Sequence, residues 1–586
     1  MARWGASHHS LKSNALQSTR AAKKTAEMFV QKIDPHRILF LEEEVTDLRN
    51  QVLASWDSFL NQKNCSVFDS WFNNHIQSVK KRFIQQATLF SEKNLSLAKR
   101  NKASKTSNTF NQFAKNVQEL SQRQNKIIQE WVDSTPLEVL KSYRNHKELF
   151  VRERAEQILA TEQLNGRVIL AKAVLGSLDP YSTYYSKSEF KEFYDELSGE
   201  SAGVGIRVQK SLKGLWVEET IPESPAQEAG IKKGDLIVKI NDQSIEKMSF
   251  NEATELLKGA KDTAVNLTIA SQNRDKTISL TRSESAFQDK KVGSEWLATA
   301  GGKKIFVITI PSFYGRGGMG QTAEEDSSSD DVKTQLERLK KSEENFQAVV
   351  LDLRGNPGGY LEEAVAMAGL FLGSETVVGV KDQTETRVIT PEESNKPVYD
   401  GPLVVLVDKE TASAGEVLAA ALKDHQRALL VGTSATYGKG SVQKLFQLDD
   451  PFLDLGTQAA TGVIKLTTSV FYSPLGHSPA NGGVTTQIQL GESEEKNSQH
   501  HSLLVKVEDI SPLVGPSTLE KLQQREPLLQ QAISALELNK SSTDLLARTE
   551  ADSMMRNAVE LAGNFSESSF EILRQSETRK PNNVMR

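Results

Sequence analysis

Residues 428–443 read ALLVGTSATYGKGSVQ, an apolar run that ends in a glycine and leads on to a Gly-Lys-Gly. Glycines flanking a lysine after a strand-like segment invite comparison with a phosphate-cradling loop. A Walker A loop has four residues between its first glycine and the Gly-Lys pair, then a Ser or Thr directly after the lysine. Here five residues separate Gly432 from Gly438, and Gly440 follows Lys439. The SVQKLF that comes next alternates like a strand, whereas a phosphate loop opens a helix whose N-terminal amides face the anion. The spacing disfavours a nucleotide site, and Lys439 needs another role.

Outward from this stretch, strand and helix patterns alternate. KIFVITI (304–310), AVVLDLR (348–354) and PLVVLVD (402–408) are apolar runs of strand length. Helical periodicity follows each, near DDVKTQLERLKKS (330–342), from YLEEAVAMAGLFL (360–372) and from AGEVLAAALKDH (414–425). Such alternation predicts an α/β core with parallel strands. The polar RGGMGQTAEEDSSSDD (316–331) is expected to be a mobile surface loop.

Ligands in such a sheet gather where strands end and helices begin. One junction carries Gly358 and Gly359, and the next starts its helix at Ser413. A serine at a helix N-terminus sits among unpaired amides that favour negative charge. The Ala414 N–H, joined across the cleft by those of Gly359 and Gly358, would make an oxyanion hole. His425 lies twelve residues on, about 18 Å along a continuous helix at 1.5 Å per residue, and Asp424 almost as far. The following strand, from Arg427 to about Gly432, runs back roughly 20 Å, which returns the chain to the level of Ser413. Lys439 is then placed to act as base in a Ser-Lys dyad. A lysine serves as base near neutral pH if burial lowers its pKa from about 10.4 to about 7 or 8, worth roughly 4 kcal/mol. Leu430, Val431, Val442 and Leu445 are expected to wall such a pocket, with Thr436 fixing the amine's aim. Each residue alone has a plainer reading. Ser413 could be a simple N-cap, the glycine pairs tight turns, Gly-Lys-Gly a solvated loop and Glu416 a complement to the helix dipole. Asp424 and His425 are expected at the surface. Their joint order and spacing make the assembly a site.

The chain has 586 residues, a length that suggests about four domains at roughly 150 residues each. Its 71 basic and 76 acidic side chains leave a net charge of −5 with no long run of either sign, which gives no warrant for nucleic acid or a membrane surface as partner. Cys65 is the single cysteine, so no intramolecular disulfide forms. No apolar stretch approaches the eighteen residues of a bilayer span. MARWGASHHSLKSN lacks a secretory h-region, so the expectation is a cytoplasmic protein or one given without its signal. No cofactor and no metal ligand set is expected.

Four parts are expected: residues 1–196 helical, 197–285 small and β-rich, 286–490 the α/β core, and 491–586 helical. Phe68, Trp71, Phe72, Ile76, Val79 and Phe83 recur at helical spacing and mark core. The second part resembles a PDZ domain in its Gly-Val-Gly at 203–205, in SPAQEAGIKKGDLIVKIN (224–241) and in the capped helix SFNEATELLKG (249–259). That resemblance implies that the Gly203, Val204 and Gly205 amides hold a peptide carboxylate. An apolar pocket between Ile206 and the helix bearing Leu256 would grip the last side chain.

LDLRGNPGG, ETASAGEVLAAALKDHQRALLVG and TYGKGSVQ, together with KIDPHRILFLEEEV (32–45), SLDPYSTYY (177–185) and ITIPSFY (308–314), resemble the carboxyl-terminal processing proteases of peptidase family S41, in their tail-specific branch. The resemblance implies a multidomain α+β chain whose ClpP/crotonase-like α/β core carries an inserted PDZ domain. It implies an ATP-independent serine endopeptidase with Ser413 as nucleophile, Lys439 as base, and Gly359 and Ala414 as oxyanion donors. Glu416, Asp424 and Thr436 match supporting positions. It further implies a bacterial periplasmic or envelope setting, substrates with free apolar C-termini, and a lipoprotein adaptor. One departure is that between the strand and the Gly-Lys-Gly this chain has TSAT where the family's pattern implies one residue fewer. The competing expectation is a PDZ-containing binding scaffold on a catalytically silent core.

Overall fold

The computed structural model describes residues 19–59, 66–93, 110–143, 146–159, 165–187, 189–191, 193, 202–248, 250–259, 262–270, 275–283, 291–315, 327–342, 344–392, 396–448, 462–490, 507–543 and 553–565. Cys65, segment 1–14, the polar stretch 316–326 and the C-terminal tail fall outside them. The chain divides into two compact units, one of residues 1–192, 200–288 and 445–466, the other of 193–199, 289–444 and 467–586.

The first unit opens with α1 (Thr19–Ile33), α2 (Glu42–Ala54), α3 (Ser66–Lys93), α4 (Val117–Ser134), α5 (Leu137–Ser142), α6 (Lys147–Ile158) and α7 (Gly166–Leu178). The apolar stripe of α3 is the seam of this bundle. Phe68, Phe72, Ile76, Val79 and Phe83 are buried and Trp71 is half-buried. Phe29 of α1 meets Phe68 and Phe72 edge-on at 5.6 and 5.8 Å, the geometry that aromatic quadrupoles favour. After α1 the chain turns on the buried Asp34, whose carboxylate accepts the amides of Ile38, Leu39 and Phe40 at 2.9, 2.9 and 3.1 Å. A short strand, β1 (Thr183–Tyr185), follows α7 and pairs antiparallel with Val463–Lys465. Helical periodicity upstream gives no sign of it, because its partner lies almost 300 residues away in sequence.

The same unit holds an antiparallel sheet of β2 (Ile206–Ser211), β3 (Gly214–Thr220), β4 (Leu236–Ile240), β6 (Ala264–Ile269) and β7 (Lys276–Thr281), in that order, with β5 (Gln243–Ser244) against β4. Two short helices, α8 (Pro225–Glu228) and α9 (Phe250–Glu255), complete it. Arg282, buried, donates to the carbonyls of Leu256, Leu257 and Ala264 and so ties the turn after α9 to the sheet.

In the second unit a six-stranded sheet runs β17 (Ile488–Gln489), β14 (Leu429–Gly432), β13 (Leu403–Val407), β10 (Ala348–Asp352), β9 (Lys304–Thr309), β8 (Gly293–Ala298). All neighbours pair parallel except β8 with β9. On one face lie α10 (Ser328–Lys341), α11 (Leu361–Leu372) and α12 (Ala414–Asp424), contributing Leu336, Met367 and Leu418 to a shared core. On the other lie α13 (Pro516–Thr543) and α14 (Ser553–Phe565), with Leu529, Ile533 and Val559. Burial on both faces is why LVVLV and AVVLD read as unbroken apolar runs. Helix α10 starts earlier than the polar loop reading allows, since the Ser327 hydroxyl accepts the Asp330 amide and makes Ser328 its first residue. A smaller sheet pairs β11 (Val378–Lys381) with β12 (Thr386–Ile389) and with the end of β16 (Val463–Tyr472), beside which lies β15 (Ser441–Gln447). Among the described residues no helix is long and apolar enough to cross a membrane, and no cluster of His, Cys, Asp or Glu could hold a metal ion.

Because Phe72 is closed in by two other phenyl rings, Phe72→Ala is expected to cost about 3–5 kcal/mol of unfolding free energy. Denaturant titration of the whole chain, read in the first transition to lose aromatic ellipticity, checks it.

Candidate active site

The parallel strands deliver two loops to one end of the sheet. After β13, Asp408 folds the chain back by accepting the Thr411 amide, while the Thr411 hydroxyl donates to the carbonyl of Leu353 at 2.8 Å. Ser413 then caps α12 with φ 56° and ψ −116°. This is a conformation costly to any residue with a Cβ, of order 1–3 kcal/mol, and held only when its surroundings over-determine it. It is the sharp strand-to-helix turn that lifts a hydroxyl clear of its helix. The Glu416 amide is taken by the Ser413 carbonyl at 2.9 Å. Lys439 Nζ stands 3.4 Å from Ser413 Oγ, and the lysine is half-buried.

Glu416, fully buried one turn into α12, organises both residues. Its Oε2 accepts the amides of Ser413 and Lys439, each at 2.9 Å. Its Oε1 accepts the Thr436 hydroxyl at 2.7 Å and the Gly438 amide at 2.6 Å. Burial pushes this carboxyl above its ordinary range, and the four donors pull it back toward ionisation. Complementing the helix dipole is therefore a small part of what Glu416 does. Thr436 serves the carboxylate and also accepts the Val484 amide at 2.8 Å, so it acts on the lysine through the loop.

The glycine junction departs from expectation in one respect. The Gly358 amide is spent on Asn356 Oδ1 at 2.8 Å, so it is not available to an oxyanion. What Gly358 provides is room: a Cβ there would sit 2.6 Å from the Cβ of Ser413. Gly359 is bracketed by two main-chain bonds to Phe313, from the Phe313 amide to the Gly358 carbonyl at 2.9 Å and from the Tyr360 amide to the Phe313 carbonyl at 2.8 Å. The Gly359 and Ala414 amides find no acceptor among the described residues. Two unpaired N–H groups thus remain beside the serine.

Asn356, which the sequence reading passed over, is fully buried. It donates to the Ile310 carbonyl at 2.8 Å, accepts from Gly358, and takes the Ala412 amide on its own carbonyl at 2.8 Å. It joins the end of β9, the glycine turn and the serine turn. An asparagine inside RGNPGG looks like any turn former, so its burial is the signal that was missing.

Asp424 is not brought to the site. It closes the far end of α12, roughly 16 Å along the axis from Ser413, and accepts the Leu475 amide at 2.9 Å. His425, expected at the surface, is buried, with Nε2 2.6 Å from the Thr376 carbonyl. Leu430 and Val431 face opposite sides of the sheet and belong to its two cores, so they do not together wall the lysine, although Val442 is half-buried nearby against the first core.

In the first unit, β2 is an edge strand. Its last residues, Lys210 and Ser211, are buried, while Ile206 to Gln209 remain at least partly open. The Gly203 amide donates to the Ser283 carbonyl at 3.2 Å, which removes it from the expected set of carboxylate donors. Val204 and Gly205 use their carbonyls, toward Ala226 and Ile221, and keep their amides unpaired among the described residues. Ile206 and Leu256 both half-bury against one apolar cluster; Leu256 lies in the turn just past α9.

Comparison with known proteins finds three family matches along the chain. Residues 11–188 match the tail specific protease N-terminal domain, 193–270 the PDZ domain, and 304–490 peptidase family S41. A probable CtpA-like serine protease of Staphylococcus haemolyticus (strain JCSC1435) is 30% identical over 342 residues, 58% of this chain and 62% of the relative. One from Staphylococcus aureus (strain N315) is 31% identical over 331 residues, 55% and 60% respectively. The chain thus spans about 60% of the length of the curated relatives it matches. Among solved structures, a photosystem II D1 C-terminal processing protease is 23% identical with a TM-score of 0.33, covering 64% of this chain and 94% of its own. Ser413, Gly359, Glu416 and Lys439 all lie inside the segment 304–490, which is a peptidase family S41 domain, joined in one chain to a PDZ domain and a tail-specific-protease N-terminal domain.

Proposed function

We propose that the chain is an ATP-independent serine endopeptidase that takes the free, apolar C-terminal tail of a protein substrate on its PDZ domain and cuts with a Ser413–Lys439 dyad. The observation that carries this reading is the 3.4 Å approach of Nζ to Oγ. That separation is slightly long for a hydrogen bond, as catalytic pairs often are before substrate binds. Lys439 in its neutral form takes the Oγ proton as Oγ attacks the scissile carbonyl carbon. The oxyanion forms opposite the Gly359 and Ala414 amides, preorganised donors of the kind worth about 10²–10³ in rate each. The lysine ammonium then hands the proton to the leaving amine, and the same amine activates the water that frees Ser413 from its acyl group. A tail adds as a strand to the open start of β2, its carboxylate on the Val204 and Gly205 amides and its last side chain between Ile206 and Leu256. Family likeness extends the proposal to a bacterial envelope setting and a lipoprotein adaptor that presents the substrate.

The decisive experiment is digestion of an unfolded reporter protein with an apolar C-terminus, without nucleotide. Ser413→Ala and Lys439→Ala are each expected to lower kcat by about 10⁴-fold while tail-peptide binding by anisotropy stays within about twofold. Equal cleavage by wild type and Ser413→Ala would return the chain to a binding scaffold, and a requirement for added ATP and magnesium would revive the nucleotide reading.

Glu416→Gln puts an NH₂ among four donors that all point inward, so an expected loss of about 2–4 kcal/mol should be visible in denaturant unfolding. For the tail, amidating the C-terminus of the reporter is expected to raise KM at least about tenfold with kcat little changed, since one charge-assisted contact of about 1.5–3 kcal/mol is removed. Unchanged KM would show that the carboxylate is not what the Val204–Gly205 turn reads.

A further inference from the structure

The lysine loop has two sides. One faces Glu416. The other rests on the returning chain at 479–486, where main chain meets main chain and the Thr436 and Thr486 side chains add further bonds. Thr436 N–H donates to the Val484 carbonyl at 3.2 Å, and the Thr486 amide donates to the Ser434 carbonyl at 3.2 Å. A Cβ placed on Gly440 would lie 2.3 Å from Ala480 N, and one on Gly483 would lie 2.3 Å from the Thr436 carbonyl oxygen. With the two backbones this close, a shift of the 479–483 turn moves the backbone of Lys439 with it.

That turn is in its turn held from outside the segment matched to the peptidase family. Residues 507–515 carry no regular structure and run as a strap into α13. Asn481 Nδ2 donates to the Val507 carbonyl at 2.7 Å and approaches Asp509 Oδ1 at 3.4 Å. Asp509 Oδ1 also accepts the Ser478 amide at 3.2 Å, and its Oδ2 lies 3.0 Å from His477 Nδ1. Further along, the Ile510 amide donates to the Gly476 carbonyl at 2.9 Å and the Leu513 amide to the Pro474 carbonyl at 2.8 Å. The Asp509 side chain is half exposed and so sits at the solvent edge of this contact. These bonds join the strap to the turn that backs the lysine loop.

We infer that Asp509 and Asn481 are positioning residues for Lys439: the C-terminal strap clamps the 478–483 turn and thereby sets the lysine amine at its distance from the serine hydroxyl. The inference rests on the Ser413–Lys439 reading for its kinetic consequence and on geometry alone for the clamp. It makes the region beyond residue 490 a part of the catalytic geometry, acting through two layers of backbone.

The test uses the full chain and two independent readouts. For Asp509→Ala and Asn481→Ala, kcat on the unfolded reporter is expected to fall about tenfold with KM within about twofold. Asp509→Asn, which keeps an acceptor for Ser478 and Asn481, is expected to recover most of the loss. Amide hydrogen exchange at Thr436–Gly440 is expected to accelerate at least about tenfold in both alanine variants, with the amides of β13 unchanged. Gln426→Ala serves as control, because Gln426 holds α13 through Leu522 and Glu526 without touching the strap. It should leave both readouts at the wild-type level. If wild type does not cleave, the protease reading fails while the exchange arm still decides the clamp. Alanine variants with wild-type exchange at 436–440, or a kcat loss matched by Gln426→Ala, would overturn the inference.

Discussion

One buried carboxylate oxygen receives the main-chain amides of both Ser413 and Lys439. Those residues are 26 positions apart, separated by a helix, a strand and a loop. Yet their backbones converge on a single atom of Glu416, so their separation is a property of that atom's hydrogen-bond geometry. Sinking a carboxylate into this interior costs several kcal/mol. Four donors, each worth about 1.5–3 kcal/mol toward a charged acceptor, offset the cost only if all of them are in place. The arrangement is consequently all or none: a loop that strays leaves a charge unsatisfied in the core. Such coupling gives two turns distant in sequence the precision of an internal contact.

The sheet supplies what the carboxylate alone cannot. Helix α12 carries the chain away from the serine turn, and β14, parallel to β13, brings the lysine loop back to the same end. Apolar layers on both faces keep the strands from sliding, and the strained backbone of Ser413 persists because Asn356, Gly358 and Glu416 leave it no alternative. Strain at the serine and satisfaction around it are two aspects of one construction.

Much of this was legible beforehand, for reasons that particular residues make clear. The runs LVVLV and AVVLD declare buried parallel strands, and the lengths of α12 and β14 alone return Lys439 to the level of Ser413 while excluding His425. Glu416 was visible as a residue but not as a hub, since nothing in a lone glutamate says that three donors 20 to 23 positions away will find it. Gly358 and Gly203 were read as amide donors because spacing cannot reveal that an Asn356 side chain or a Ser283 carbonyl has already claimed them. His425 was misplaced because a helix end is usually wet, and here the ring is buried against the Thr376 carbonyl ahead of β11. What periodicity encodes is which face is apolar; what it omits is where each long-range polar bond goes.

The TSAT segment is built so that a change of its length does not reach the lysine. In its Thr433–Ala435 stretch Ser434 is exposed and the Thr433 hydroxyl donates back to the Ala435 carbonyl at 3.0 Å. On its upstream side the Thr433 and Ser434 carbonyls are held by Thr486. On its downstream side Thr436, Gly438 and Lys439 are held by Glu416. A residue added between two such anchors is taken up as a bulge toward solvent, for a slowly growing entropic cost of well under about 1 kcal/mol. The position of Lys439 is indifferent to it, because the amine's aim is set after the last anchor and not by the count of residues before it.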